Sequence, residues 1–494
     1  MPFISTGSLG PTEVPPSARQ VYNGLDCCLT LEIWEELQGL FNQPPEIYSF
    51  ERAMQAPALE MMLRGFRIDE GARRAGTASL RADLTALDSI LQEYAFAVWG
   101  KPVNPRSPEQ LKVFFYETMN LPQQFTYSQG KKRVSVNREA LEKLEIYFHA
   151  RPIIACILAI RDTGKRLNVL ETEVDPDGRM RTSYNIAGTE TGRWSSSKSS
   201  TKTGTNLQSI TSSLRNIFVS DPGYKLCGID LEQAESREVG WLCGVLFNDW
   251  SYLDAAESGD LHTLTCKLIW PDRKWPGDSK GDRALADQLF YRDFSYRDMS
   301  KRGGHGSNYL GTPFTMSRHL KVPTKLMVDF QHAYFSAFPA IPRYHRWTAQ
   351  QLQTVQKITT SFGRQRHFFG RPNDDTTLRE AVAYSPQSST GDRLNLVVWR
   401  IWKQMKNVQL LAQLHDAVYF QYREDADEAA IIEQALKLTQ VHLSHPARSA
   451  GFVIPGEVKI GWNWGSFGPN NPDGLTKWKG SDSRTRTPLL ETTF

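Results

Sequence analysis

Apolar and polar positions alternate in two different rhythms along this chain. In SLRADLTALDSILQEYAFAV, Leu80, Leu84, Leu87, Leu91, Tyr94 and Val98 recur at steps of three and four. That spacing predicts one apolar stripe on a long helix. Ser107-Pro108-Glu109-Gln110 predicts a helix start, with Ser107 as cap, Pro108 at the first helical position and Gln110 completing a capping box. From about residue 180 short apolar runs take over: YKLCGIDL, VQLLAQLHDAVYFQY and FVIPGEVKI, separated by a long, charged and Gly-punctuated stretch. This order predicts an α+β protein, an antiparallel sheet interrupted by a helical insertion. Residues 1–20 and the stretch after Gly468 are turn-rich and polar, predicting an arm and a flexible or docked tail.

Composition adds limits. A chain of 494 residues with 23% charged and 40% hydrophobic residues can bury several cores. A net charge of +4 is too small to identify a nucleic-acid partner, so any basic surface must be local. Six cysteines lack zinc-site spacing, predicting reduced thiols. No leader and no membrane-length apolar run is visible, so a cytoplasmic protein with no membrane partner is expected.

Candidate chemistry sits at two strand ends. Tyr224–Ile229 reads as a buried strand ending in Asp230, and the strand 409–414 turns at His415-Asp416. Carboxylates at the ends of neighbouring strands suit a pair of Mg²⁺ ions, which take hard oxygen ligands and retain waters or phosphates. Between them lies RDMSKRGGHGSNYLG, in which Arg297, Lys301, His305 and Tyr309 recur every four residues. On a helix they form one stripe able to grip a triphosphate and stack on a base. Gly303, Gly304 and Gly306 oppose a helix by about 1 kcal/mol each, and a glycine-rich loop is the alternative. They would equally permit close approach to a base pair. Gly130-Lys131-Lys132-Arg133 reads as a turn able to contact phosphate, or as a solvated turn.

These segments resemble the family A DNA polymerases. DLEQAESR (230–237), RDMSKRGGHGSNYLG (297–311) and QLHDA (413–417) resemble motifs A, B and C. TETGRWSS (189–196), NLQSI (206–210), DLHTLT (260–265), SFGRQR (361–366), the run from Arg379 through Gln387 to Asp392, and GEVKIGWNWG (456–465) resemble the flanking signatures, in order. Upstream, ERAMQAPALEMMLRGFRID and NPRSPEQL resemble the palm entry and thumb. The resemblance implies a right hand: 1–45, an arm with the remnant of an exonuclease domain; 46–180, palm entry and thumb; 181–250, palm with motif A; 251–378, fingers with motif B; 379–468, palm with motif C; 469–494, a tail.

It also implies roles. Asp230 and Asp416 would hold two Mg²⁺ ions, with Mn²⁺ able to substitute. Arg297, Lys301 and His262 would neutralise phosphate charge, with Lys301 the proton donor to pyrophosphate; Tyr309 would meet the templating base pair. Glu235 would exclude a ribose 2′-OH; Gln233 and His305 would also contact the nucleotide. Arg193, Gln208, Arg237, Arg379, Gln387 and His415 would contact primer–template DNA. The implied activity is template-directed addition of dNTPs to a primer. Departures from the family pattern are Glu232, Ala417, His305, Ala383 and a glycine displaced to Gly311, while 271–294 is longer than the pattern requires and has no assigned role.

Tyr22-Asn23-Gly24-Leu25-Asp26 fits the Y-x-x-x-D motif of a 3′–5′ exonuclease whose D-x-E counterpart is not found upstream. The expectation is that this chain alone does not proofread: either a separate exonuclease chain supplies the missing half, with replisome proteins as further partners, or the chain is a truncated product. Two rival enzymes are weighed. In an RNase H-like nuclease, Asp230-Leu231-Glu232 would open the site, but Tyr22–Asp26 precedes it in the wrong order. A single-subunit RNA polymerase is opposed by Glu235. A degenerate binding subunit of a replisome is opposed by the presence of both aspartates.

Overall fold

The computed structural model describes residues 16–40, 46–128, 131–199, 201–291 and 294–480. The chain divides into two units, 1–55 and 56–494. In the first, helix α1 (Pro16–Leu40) is followed by a short helix Glu46–Ala53, and the rings of Trp34 and Tyr48 stack at 5.7 Å. Tyr22 and Asp26 lie one turn apart on α1.

In the second unit, α2 spans Glu70–Trp99, capped by the Asp69 side chain at one end and by Gly100 in the left-handed region at the other. Leu80, Leu84, Leu87 and Leu91 pack inward as the spacing predicts, but the stripe continues through buried Ala95. Tyr94 and Val98 are exposed, because at this end of the helix the packed face passes to Ala95 and Trp99, which join the core around Phe114. The stripe packs on α3 (Arg151–Leu170). Ser107 caps the helix Pro108–Lys112 as expected, but Gln110 Oε1 accepts from the backbone N–H of Asn104 at 2.8 Å and forms no capping box. The helix Pro108–Lys112 follows, and a wider-turned helical segment, Val113–Thr118, buries Phe114 and Phe115. Lys131, Lys132 and Arg133 are not in a turn: strand β2 (Lys131–Val134) carries them, exposed, against strand β1 (Phe125–Ser128). Gly130 lies outside the described residues.

The apolar runs build a five-stranded antiparallel sheet. Its centre is β3 (Tyr224–Leu231), flanked by β5 (Ala417–Arg423) and β6 (Gly456–Gly461). β4 (Val408–Leu414) lies outside β5, and β7 (Thr476–Lys477) lies outside β6. The stretch after Gly468 is thus docked as far as its edge strand, with Leu475 buried; 481–494 lie outside the described residues. Gly228 is required at the centre, since a Cβ there would stand 2.6 Å from the Tyr419 ring. The expected helical insertion separates β3 from β4.

The insertion contains α4 (Ala234–Phe247), α5 (Leu261–Ile269), α6 (Ser279–Ala286), α7 (Tyr296–Asn308), α8 (Pro313–Leu320), α9 (Thr324–Ala337) and α10 (Asp375–Gln404). The glycine-rich segment is therefore helical rather than a loop. Ser295 and Asp298 start α7 with a capping box. Its glycines serve packing: a Cβ on Gly303 would meet the Phe330 ring at 2.5 Å, and one on Gly306 the Met316 sulfur at 2.5 Å. Their closeness is to α9 and α8, which is what offsets their poor helix propensity. Among the described residues, no helix is long and apolar enough to cross a membrane, and all six cysteines are free thiols.

Candidate active site

Sheet register brings the two strand-end carboxylates together. Asp230, near the end of β3, is opposite Ala417 on β5, and Asp416 occupies the two-residue turn just before it. His415 makes that turn with φ of 52°, and the backbone N–H of Leu231 donates to the carbonyl of Asp416 at 2.9 Å. Burial, and then the neighbouring Asp416 charge, push the Asp230 carboxyl up to about 6. Burial also raises Asp416, although Arg193 opposes the shift. Glu457 faces Asp230 from β6, and Glu232 adds further negative charge. Two partly desolvated carboxylates, Asp230 raised further by Asp416 and Asp416 by Glu235, favour a cation beside them. Among the described residues, no group of three or more His, Cys, Asp or Glu side chains converges as a metal site. The available donors are hard oxygens alone, which suits an ion that retains waters or takes phosphate oxygens.

Arg193 ties this pair to the helical insertion. Its guanidinium lies 3.7 Å from Asp416 Oδ1 and donates to Glu235 Oε1. A built support holds it there. Gly192, at φ of 75°, leaves room for the Arg364 guanidinium, while its carbonyl accepts from Asn395 at 3.2 Å. Arg364 is in turn paired with Asp392 at 2.8 Å, and Gly391 admits the Arg193 stem. Deeper still, Arg393 of α10 and Glu238 of α4 form a fully buried pair at 3.0 Å, with burial raising the carboxyl and lowering the guanidinium.

Glu235 accepts on its other oxygen from the Tyr309 hydroxyl at 2.6 Å. Tyr309 ends α7, and burial together with Glu235 holds its phenol well above the ordinary value, so it remains a donor. The His305 ring meets that of Tyr309 edge-on at 4.9 Å. One polar chain thus runs from Asp416 through Arg193 and Glu235 to Tyr309 and α7.

Toward its start, α7 presents Arg297 and then exposed Lys301, one turn apart. Arg297 is not free: it donates to both oxygens of Asp260, at 2.8 and 3.1 Å. Asp260 caps α5; burial would raise its carboxyl, yet Arg297 and Thr263 hold it well below the usual carboxylate range. His262 follows Asp260 in the first turn of α5. Burial, then Arg297, lower it to about 4, so it is neutral at pH 7 and adds no positive charge.

Other expected residues are scattered. Gln208 donates to the buried Gln413 side chain at 3.0 Å. Gln233 stands at φ of 52° before α4 with its Oε1 buried and unpartnered. Gln387 is half-buried on α10, His415 is exposed, and Arg379 is exposed and paired with Asp375 at 3.0 Å on its own helix. Arg237 is only 5% exposed on α4, and burial lowers its guanidinium. Sequence reasoning gave no role to Arg364, Asn395, Glu238 or Arg393. Arg364 lies in SFGRQR, and Asp392, Arg393 and Asn395 cluster within one buried stretch of α10, which is the signal that could have found them.

Comparison with known proteins is consistent across most of the chain. The sequence profile of DNA polymerase family A matches residues 75–466. DNA polymerase I of Chloroflexus aurantiacus is 25% identical over 484 residues, covering 92% of this chain and 47% of the relative. The thermostable DNA polymerase I of Thermus filiformis is 27% identical over 431 residues, covering 83% of this chain and 47% of the relative. The chain thus spans about half the length of these relatives. A solved structure of the POL domain of Pol1 from M. smegmatis, in complex with DNA primer–template and dNTP, superposes with a TM-score of 0.66 at 22% identity. The match covers 84% of this chain and 69% of that one, and it shows a shared fold.

Proposed function

We propose that this chain, which belongs to DNA polymerase family A, adds dNTPs to the 3′ end of a primer under the direction of a template. The observation that carries the reading is the strand-end Asp230/Asp416 pair, joined through Arg193, Glu235 and Tyr309 to a helix bearing Arg297 and Lys301. The sheet β3–β7 is read as the palm, 251–378 as the fingers, and α2, α3 and the β1–β2 hairpin as the thumb.

Asp230 and Asp416 would hold two Mg²⁺ ions, which supply charge for activating the primer hydroxyl and stabilising the leaving pyrophosphate. Arg297 leaves Asp260 to grip the triphosphate, and neutral His262 contributes a ring N–H rather than a charge. Lys301, exposed one turn along, gives a proton to the departing pyrophosphate. Glu235, held by Arg193 and Tyr309 from two sides, has little freedom to turn away from a ribose 2′-OH and so favours deoxynucleotides. Primer–template DNA and dNTPs are accordingly the proposed partners.

Primer extension by the purified chain tests this. Extension is expected with dNTPs and Mg²⁺, and is expected to cease with EDTA and fall sharply with rNTPs. Absence of extension with dNTPs, or equal use of both sugars, would refute the reading.

A further inference from the structure

The segment 271–294, which the sequence left without a role, carries a second arginine to Asp260. Its helix α6 is pinned to α5 by Lys267 and Asp282 at 2.5 Å, and Asp282 also accepts from the backbone N–H of Gly277 at 2.9 Å. The next residue, Arg283, reaches Asp260 Oδ2 at 3.0 Å while its Nε donates to Asp287 at 2.6 Å. Asp260 Oδ2 is therefore shared by Arg283, Arg297 Nε at 2.8 Å and the Thr263 hydroxyl at 2.8 Å. Its other oxygen accepts from Arg297 and from the backbone N–H groups of His262 and Thr263.

This geometry has a consequence for Arg297. Asp260 occupies the Nε and Nη2 edge of the Arg297 guanidinium, so a phosphate that binds this edge takes it from Asp260. Without Arg283, that exchange would leave a partly buried carboxylate with no cation beside it, an unfavourable state. With Arg283 in place, Asp260 keeps a cationic partner throughout.

Building on the polymerase reading above, we propose that Arg283 is a positioning residue for triphosphate binding. It stays on Asp260 when Arg297 transfers to phosphate, and so lowers the cost of releasing Arg297. Arg283 does not itself touch the nucleotide.

The test is single-nucleotide insertion by the full chain, with KM for dNTP and kcat measured for wild type, R283A, R283K, D260N and the R283A/D260N double variant. R283A should raise KM roughly three- to tenfold with kcat within about twofold, the scale of one partly exposed ion pair. R283K should restore most of the loss. In the D260N background the R283A effect should vanish, because no carboxylate then competes for Arg297. An unchanged KM in R283A would overturn the proposal. So would an undiminished R283A effect in D260N, which would signal direct phosphate contact or a general structural role. Should D260N not fold, D260S keeps a capping oxygen without the charge. Calorimetric binding of inorganic tripolyphosphate separates the two levels of inference. If wild type binds it in an Arg283-dependent way yet inserts no dNTP, the polymerase reading fails and the Arg283 role stands. If wild type inserts dNTPs and R283A changes neither readout, only the Arg283 role fails.

Discussion

The carboxylate turn and the cationic helix solve opposite electrostatic problems in opposite ways. At the sheet end, Asp230 and Asp416 are partly desolvated next to each other, and their protonation is pushed upward, Asp230 to about 6. At the helix, Arg297 is already satisfied by Asp260, whose carboxyl is held well below its ordinary range. The first region gains from any cation that arrives, while in the second the Nε and Nη2 edge of Arg297 can take an anion only by exchanging Asp260 for it. A rigid sheet can hold like charges together because its register leaves them nowhere to go. A surface helix with long side chains would rearrange, so an internal counter-ion keeps its arginine in place.

Removing charge from the helix should give the largest kinetic effect among the contrasts between these regions. Lys301→Ala is expected to lower kcat by about a hundredfold or more with little change in DNA affinity, the scale of a lost general acid. Pre-steady-state insertion checks this, and a change in KM alone would move Lys301 from proton donor to simple phosphate contact. Next comes the support beneath the carboxylates. Arg393→Met leaves Glu238 buried without its partner and should cost about 3–5 kcal/mol in chemical denaturation; a loss under 1 kcal/mol would show that the pair does not hold α10 to α4. Cutting the link between the regions should be milder. Glu235→Ala is expected to raise rNTP use relative to dNTP roughly tenfold, with unaltered sugar selectivity counting against the gate.

The smallest effect concerns Asp260 and acid. Its folded carboxyl lies below the unfolded value of about 3.9, so it stabilises the fold above that pH and the contribution is lost as pH falls through the folded value. Asp260→Asn should therefore flatten the decline of thermal stability below about pH 4. An acid profile identical to wild type would remove Asp260 as the internal counter-ion.

Patterns with a strict period were legible in the sequence. β3 and the β4–β5 hairpin followed from continuous apolar runs broken at His415-Asp416, and the docking face of α2 from its leucines. The stripe departs from the packed face only at its end, where the core lies against Ala95 and Trp99 instead of Tyr94 and Val98. The helix α7 was evenly balanced on local propensity, because what stabilises it is Phe330 and Met316 filling the space beside its glycines. Long-range pairings were invisible: nothing local connects Gly192 with Arg364 and Asn395, or Arg283 with Asp260. Charge state was equally hidden, since the neutral His262 follows from burial and from Arg297, thirty-odd residues away.

The central claim is that Asp230 and Asp416 together form the catalytic metal site, and the most direct test measures insertion and DNA binding side by side. With Asp230→Asn and Asp416→Asn, insertion of one dNTP in Mg²⁺ should fall by about a thousandfold or more, while primer–template affinity stays within about threefold of wild type. Insertion near the wild-type rate by either variant would contradict the account.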